Sequence, residues 1–209
     1  VLAYFKYRDF FYHDWLHIIG MPGDAGQYDP LHIILPLGIS FYTFQAIGYL
    51  VDVYNEQIEP CNGLLTFTTY MAYFPKMTAG PIEPGNRFFE QIENKREFRY
   101  PLAVDGLRQI LWGAFAKLVI ADNCALLAAP IFDNYHNLPS STLLIGAFFY
   151  LFQVYCDFSG YSNMAIGISK LFGIQLMRNF ASPFFSVNIN EFWKKWNISL
   201  SSWMMKYVF

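Results

Sequence analysis

Four apolar stretches separated by polar loops constrain the fold of this chain more than any other feature. They cover residues 33–54, 64–80, 109–132 and 142–171. A helix needs about 20 apolar residues to cross a hydrocarbon core of about 30 Å, so three stretches are long enough. The stretch 64–80, interrupted at Pro75 and Gly80, is marginal. We therefore expect an all-α, multi-pass transmembrane helical bundle that forms a single membrane domain over residues 1–209.

The distribution of lysine and arginine gives an independent indication of topology. If all four stretches cross, the loops alternate between the two sides, and most of the 14 basic residues fall on one side. That side holds Lys6, Arg8, Arg87, Lys95, Arg96, Arg99, Arg108, Lys170, Arg178, Lys194, Lys195 and Lys206. Such asymmetry marks the cytoplasmic face. We expect residues 82–108 to face the cytoplasm, and the loops 55–62 and 133–141 to face outward.

The composition also favours a membrane protein. The chain is 55% hydrophobic and only 14% charged, with 22 Phe and 15 Tyr, whereas soluble domains carry about 25% charged residues. The formal net charge of −2 argues against a nucleic-acid-binding protein. Three widely spaced cysteines indicate neither a metal site nor a disulfide framework.

The terminal segment, residues 189–207, has the periodicity of an amphipathic helix. On a helical wheel, one arc of about 120° contains only apolar and aromatic residues. The arc consists of Ile189, Phe192, Trp193, Trp196, Leu200, Trp203, Met204 and Tyr207. The lysines lie outside the arc and Asn197 lies at its edge. This pattern predicts an interfacial helix along the membrane face; an ordinary surface helix of a soluble domain is the alternative.

Asp157 and Lys76 are charged residues within apolar stretches. A charge inside a span costs about 2.5–3.5 kcal/mol on insertion scales, so each should face protein or water. We expect the helix to kink at Asp157, which either pairs with Lys117, caps a helix restart at Ser159 or lines a tunnel. Lys76, next to Pro75, either lines a cavity or extends to the interface.

Three segments resemble signatures of the membrane-bound O-acyltransferase (MBOAT) superfamily. They are FPKMTAGPI (74–82), YCDFSGYSNMAIG (155–167) and NEFWKKWNISLSSW (190–203). LPLGISFYTFQAIGYLVDVY (35–54) is similar to the branch of the bacterial alginate O-acetylation protein and the D-alanyl transfer protein of teichoic acid. The resemblance extends over almost the whole chain. It implies a bundle of tilted spans with short horizontal helices and a central tunnel.

The resemblance also implies a function. Members of this family transfer an acyl group from a thioester donor to a hydroxyl. We expect an enzyme that transfers an acyl, most often acetyl, group to an exported polysaccharide or cell-envelope polymer in the plasma (inner) membrane. The donor would be acetyl-CoA or an acyl carrier, used as co-substrate with no bound cofactor or metal. Accessory acyl-transfer proteins would be the partners.

The family's general-base histidine lies downstream of the motif that contains Asn197, and so beyond Phe209. The four histidines His13, His17, His32 and His136 all precede that motif. The chain therefore resembles a fragment of a longer protein, inactive by itself. The resemblance makes Asn197 the catalytic candidate, at a position that is His in much of the bacterial branch. It assigns Lys76, Asp157, Ser159, Trp193 and Trp196 to the tunnel or to its support.

Two other classes of protein fit part of the pattern. A transporter or channel could form its binding site from helices broken near Pro75 and Asp157. Internal pseudo-symmetric repeats would indicate that class, and the sequence has none. A non-catalytic scaffold subunit of an export complex would lack the downstream histidine.

Overall fold

The computed structural model describes Ile18 and residues 38–209, and these residues form helices and loops without any strand. The α-helices in this part are α1 (Ile39–Tyr54), α2 (Leu64–Ala72), α3 (Gly85–Glu93), α4 (Tyr100–Ala114), α5 (Asp122–Asp133), α6 (Ser140–Leu171), α7 (Ile189–Lys195) and α8 (Ile198–Tyr207). A π-helical segment, Phe115–Ala121, joins α4 to α5. Short 3₁₀ turns lie at Phe74–Lys76, Tyr135–Asn137 and Pro183–Phe185. The beginning of the predicted stretch 33–54 lies outside the described residues.

Two helical units are long and apolar enough to cross a membrane. Tyr100–Asp133 has 34 residues and Ser140–Leu171 has 32, and they contain the predicted stretches 109–132 and 142–171. Only 17% and 22% of their most apolar windows are buried, so large apolar side chains cover their outer surfaces. The core helix of a soluble protein would be mostly buried, so this surface is suited to lipid.

The helix is not broken at Asp157, because α6 is a continuous α-helix from Ser140 to Leu171. The irregular helix is its partner, where the π-helical segment contains Lys117. Lys117 Nζ lies 2.6 Å from Asp157 Oδ1 and 2.7 Å from Asp122 Oδ1. An ion pair therefore links the two candidate spans at the position where the sequence suggested a break.

Four glycines allow α4 and α6 to pack closely. A methyl group added at Gly113 would lie 2.5 Å from the carbonyl oxygen of Gly160, and one at Gly167 would lie 2.5 Å from that of Gly106. In the reverse direction, a methyl group added at Gly160 would lie 2.7 Å from the carbonyl oxygen of Gly113, and one at Gly106 would lie 2.7 Å from that of Gly167. Small residues let helix backbones approach in this way inside membranes.

Polar side chains join the same two helices near their ends. Lys170 on α6 donates to Asp105 (2.5 Å) and Gln109 (2.7 Å) on α4. Gln109 in turn donates to Asn163 (2.9 Å). Such hydrogen bonds between helices stabilise bundles in an apolar environment.

The C-terminal half of α6 packs against the region around α2 and α3. Tyr70 and Tyr73 from the end of α2, Phe88 and Phe89 from α3 and Ile166 from α6 form an aromatic core with Ile174 and Leu176. The chain between α2 and α3 is fixed on α6 because the hydroxyl groups of Thr78 and Tyr161 are hydrogen-bonded. The backbone that contains Pro75 and Gly80 therefore bends against protein.

The predicted crossing at residues 64–80 is not supported. α2 ends at Ala72 after nine residues, which is about 14 Å of helix and half of a hydrocarbon core. The loop 55–62 also lies beside α3: a methyl group at Gly85 would be 3.6 Å from the Ile58 side chain. Ile58 and Gly85 are therefore neighbours, which does not fit the prediction that residues 55–62 and 82–108 face opposite sides of the membrane.

The terminal amphipathic helix is not continuous. It divides into α7 and α8 at Asn197, whose φ of 42° and ψ of 57° place it in the left-handed region. Continuous helical geometry ends there, so the eight predicted arc residues do not share one face. Trp203 is buried, whereas Trp193 and Ile189 are 57% and 69% exposed.

Candidate active site

Three hydrogen-bonded residues connect α6 to the break between α7 and α8. The amide of Asn179 donates to the hydroxyl of Ser162 (3.0 Å), and both residues are buried. The backbone carbonyl oxygen of Asn179 accepts a hydrogen bond from the backbone N–H of Ile198 (2.8 Å). The motif around Ser162 therefore positions the motif that contains Asn197, although the two are far apart in sequence.

Asn197 occupies a conformation that few residues other than glycine adopt. Asparagine tolerates the left-handed region better than most L-residues. Its backbone carbonyl accepts from the N–H of Ser201 (3.0 Å) and begins α8. Its side-chain Oδ1 is buried and has no hydrogen-bond partner among the described residues. A buried amide oxygen without a donor is costly, so this atom is available to a donor from elsewhere in the protein.

An aromatic cluster supports this position. The Trp196 ring lies 5.2 Å from Phe180, 5.5 Å from Phe192 and 5.8 Å from Tyr155, measured between ring centroids. These packed rings fix the backbone immediately before Asn197. Trp193 contacts Phe192 at 5.3 Å but is mostly exposed. The structure thus places Trp196 beside Asn197 and directs Trp193 outward.

A small cavity of about 80 Å³ lies between α1 and α8. Gln45 on α1, Glu83 before α3 and Ser199 on α8 border it, and all three are at least 98% buried. Gln45 Oε1 and Ser199 Oγ lack hydrogen-bond partners among the residues described. Buried polar atoms directed at a cavity indicate a place for water or a small polar group. Sequence reasoning missed these residues, although a lone glutamine within an apolar stretch was a usable signal.

The wall of this cavity connects α1 to α8. Asp52 is 1% exposed. Its carboxylate accepts from Lys206 (2.6 Å) and from the hydroxyl of Tyr207 (2.8 Å). The indole N–H of Trp203 donates to the carbonyl of Phe44 (2.9 Å). α8 is thus held on α1 at its middle and at its last turn.

Lys76 is completely buried and does not extend to an interface. Its Nζ lies 4.1 Å from the centroids of both the Tyr70 and Phe88 rings. It has no hydrogen-bond partner among the residues that the structure describes. Burial lowers the pKa of Lys76 to about 7, against the opposing influence of the nearby Glu83 carboxylate. Tyr70 contacts Lys76 and also lines the cavity, so the two features adjoin.

Asp157 and Ser159 lie apart from the cavity. Asp157 is half exposed and bound to Lys117, and Ser159 is buried in α6, where its carbonyl accepts from Asn163 (2.8 Å). Of the six predicted residues, the structure brings Asn197 and Trp196 together, with Lys76 near the adjoining cavity. Trp193, Asp157 and Ser159 lie elsewhere.

Known proteins resemble this chain over most or all of its length. Residues 61–209 match the model of the MBOAT, membrane-bound O-acyltransferase family. A probable alginate O-acetylase AlgI of Pseudomonas aeruginosa is 38% identical over 100% of this chain and 40% of its own length. A peptidoglycan O-acetyltransferase of Helicobacter pylori is 34% identical over 100% of this chain and 44% of its own length.

A more distant relative, a teichoic acid D-alanyltransferase of Streptococcus thermophilus, is 32% identical over 83% of this chain and 43% of its own length. The chain thus spans about two fifths of the curated relatives that it matches. The matched region includes all three signature segments, the link from Ser162 through Asn179 to Ile198, and Asn197. The chain therefore belongs to the membrane-bound O-acyltransferase family.

Proposed function

We propose that the protein to which this chain belongs is a multi-pass plasma-membrane O-acyltransferase. It transfers an acyl group, for which we propose acetyl, from a thioester to a hydroxyl of an exported polysaccharide or cell-envelope polymer. The printed names of the relatives support this proposal, because alginate, peptidoglycan and teichoic acid are all polymers of that kind. The donor would be acetyl-CoA or an acyl carrier, with accessory proteins that supply or receive the acyl group.

The buried, unpartnered Oδ1 of Asn197 is the observation that gives this proposal a site. In the proposed reaction, a histidine beyond Phe209 removes the proton of the acceptor hydroxyl. The oxygen forms a bond to the thioester carbonyl carbon, the carbon–sulfur bond breaks, and the thiolate takes up the proton. Asn197 accepts a hydrogen bond from the other ring N–H of that histidine and so fixes its tautomer and orientation. An amide is not a base at neutral pH, so Asn197 positions the base.

The test is acyl transfer by full-length Asn197→Ala protein, normalised to purified, monodisperse protein. Loss of one well-placed catalytic hydrogen bond costs about 10²–10³ in rate at a well-studied oxyanion hole, and we expect a loss of similar size. Asn197→His should retain more activity than Asn197→Ala, because imidazole also offers a hydrogen-bond acceptor. Asn190→Ala is the matched control, because Asn190 is an exposed asparagine on α7. Full turnover by Asn197→Ala would show that Asn197 serves only helix packing.

A further inference from the structure

A basic cleft lies at the junction of α3, α4 and the end of α6. It has a volume of about 450 Å³. Its charged lining consists of Arg87, Lys95, Arg96, Arg99, Glu90 and Glu97. Its other lining residues include Gln91, Gly173 and Gln175. A smaller cavity that shares Arg96, Arg99 and Gly173 continues from it to Leu171 and Phe172.

Hydrogen bonds fix the positions of three residues that line this cleft, Gln91, Arg96 and Gln175. The side chain of Gln91 accepts from the backbone N–H of Gln175 (2.6 Å) and donates to the carbonyl of the same residue (3.1 Å). Arg96 donates to the carbonyl of Gln91 (3.1 Å). Its aliphatic chain lies over Gly173, at 3.6 Å from the position that a methyl group would take. The shape of the cleft is thus set by α3 and by the turn after α6.

Positive charge exceeds negative charge in the cleft. Arg87 is partly neutralised by Glu83, at 3.2 Å between Nε and Oε1. Within the described part of the chain, neither Lys95 nor Arg99 forms an ion pair. The facing carboxylates, Glu90 and Glu97, also have none there. Because arginine binds phosphate oxygens through two parallel N–H groups, a phosphate is the anion that best fits between Arg96 and Arg99.

The position of the cleft indicates the source of this phosphate. One candidate span begins at Tyr100 and the other ends at Leu171, so the cleft lies where both helices reach the same end. Around it, Phe98, Tyr100 and Phe172 are 77%, 73% and 53% exposed. Tyrosine rings at the ends of spans lie at the level of lipid headgroups, and phenylalanine rings are suited to the adjoining hydrocarbon. On the cytoplasmic side, where the basic residues predict this end, the leaflet is rich in anionic lipids.

We propose that this cleft binds the headgroup of an anionic phospholipid. The phosphodiester lies between Arg96 and Arg99, and the acyl chains follow the exposed apolar surface of α4 and α6. Gln91 and Gly173 hold Arg96 in place, so the site is more specific than a diffuse basic surface.

The experiment measures phosphatidylglycerol retained by the full-length protein, using native mass spectrometry of protein from mixed phosphatidylglycerol and phosphatidylcholine nanodiscs. The double variant Arg96→Ala/Arg99→Ala is compared with Arg178→Ala/Lys194→Ala. The second variant removes the same charge from two exposed residues outside the cleft. A direct hydrogen bond to a charged group contributes about a tenfold change in affinity, so the first variant should bind about 100-fold more weakly. The control variant should keep the preference of the wild type for phosphatidylglycerol.

Three results would overturn the proposal. They are equal losses in the two variants, equal retention of phosphatidylcholine and phosphatidylglycerol by the wild type, and displacement of phosphatidylglycerol by millimolar inorganic phosphate. The last result would identify the cleft as a site for a soluble phosphate. Melting curves of both variants accompany the measurement. Arg96→Lys/Arg99→Lys should recover only part of the binding, because lysine keeps the charge but cannot bind phosphate through two parallel N–H groups.

Discussion

Lys76 is held by two aromatic rings in a fully buried position, and its ammonium group has no hydrogen-bond acceptor among the described residues. The groups that face it are Tyr70, Phe88 and the nearby Glu83. The lowered pKa of Lys76, about 7 against an ordinary 10.5, means that burial destabilises the charged form. Below about pH 7 the folded and unfolded states both bind this proton, and the cost of burying the charge is present in full.

We predict that Lys76→Met stabilises the full-length protein most at low pH. Between pH 7 and pH 10.5 the unfolded state keeps the proton that the folded state loses, so the wild type gains stability as the pH rises. The stability gap between variant and wild type should shrink by about 1.4 kcal/mol per pH unit in this range. Thermal unfolding in detergent from about pH 6 to about pH 9 measures the gap. Lys194→Met, at an exposed lysine, should show no such slope; a slope of zero for Lys76→Met contradicts the prediction.

Asn197 illustrates which properties of a single residue could be predicted from the sequence. The resemblance of residues 190–203 to a family signature was enough to select Asn197. Its buried Oδ1 and left-handed backbone were not predictable, because both depend on contacts with Asn179 and α6. The cavity residues Gln45 and Ser199 were missed for a similar reason, since residues from α1 and α8 meet there only in the folded chain.

At the scale of the helix, the close packing of α4 and α6 at the glycine pairs predicts that a larger residue there destabilises the protein. Gly113→Ala places a methyl group 2.5 Å from the carbonyl oxygen of Gly160, and backbone on both sides prevents an easy adjustment. Overpacking of this kind costs about 1–3 kcal/mol, so the variant should yield less monodisperse protein and melt earlier. Gly63→Ala is the control, because the atom nearest to its methyl group is the side-chain hydroxyl of Thr66, at 3.0 Å, and the nearest backbone atom is 3.8 Å away. Equal melting temperatures for the two variants would argue against close packing of α4 and α6.

The ion cluster around Lys117 leads to a second prediction at this scale, which concerns the yield of folded protein. Because Lys117 binds both Asp122 and Asp157, Asp157→Ala leaves it one carboxylate, whereas Lys117→Ala leaves two carboxylates without a cation. A lone charge within a span costs about 2.5–3.5 kcal/mol. Lys117→Ala should therefore reduce the yield of folded protein more than Asp157→Ala. Adding Asp122→Asn and Asp157→Asn to Lys117→Ala should restore the yield, and the opposite ranking would show that the cluster is not structural.

Hydropathy predicted the two long helices well, because about 20 consecutive apolar residues are a strong signal for a span. It predicted the shorter elements poorly. The apolar stretch 64–80 ends as a helix at Ala72, where the chain turns back onto α6. The periodicity of residues 189–207 continues through Asn197, although the helix does not. The periodicity of apolar residues predicts which side of a helix is apolar. It cannot predict that one residue adopts the left-handed conformation and interrupts the helix.

At the scale of the molecule, α6 organises the described chain. The other candidate span packs along it through glycines and ions, the aromatic core packs on its C-terminal half, and Trp196, between α7 and α8, contacts its residue Tyr155. The two candidate spans are about 50 Å long at 1.5 Å per residue, so they lead from the basic cleft to the loop 133–141 over more than a membrane thickness. The loop 55–62 contacts Gly85 and belongs to the region near α3.

These distances predict the sidedness of three labelling positions in a full-length protein whose native cysteines have been replaced. Ser141→Cys should react with a membrane-impermeant maleimide added to intact cells, whereas Arg96→Cys should react only after the membrane is permeabilised, because basic residues concentrate at the cytoplasmic end. Glu59→Cys distinguishes the structure from the simple alternation of four spans. Its neighbour Ile58 contacts Gly85, so Glu59→Cys should share the protection of Arg96→Cys. Reaction of Glu59→Cys from outside, with Arg96→Cys protected, would instead require the membrane to be very thin between α2 and α3.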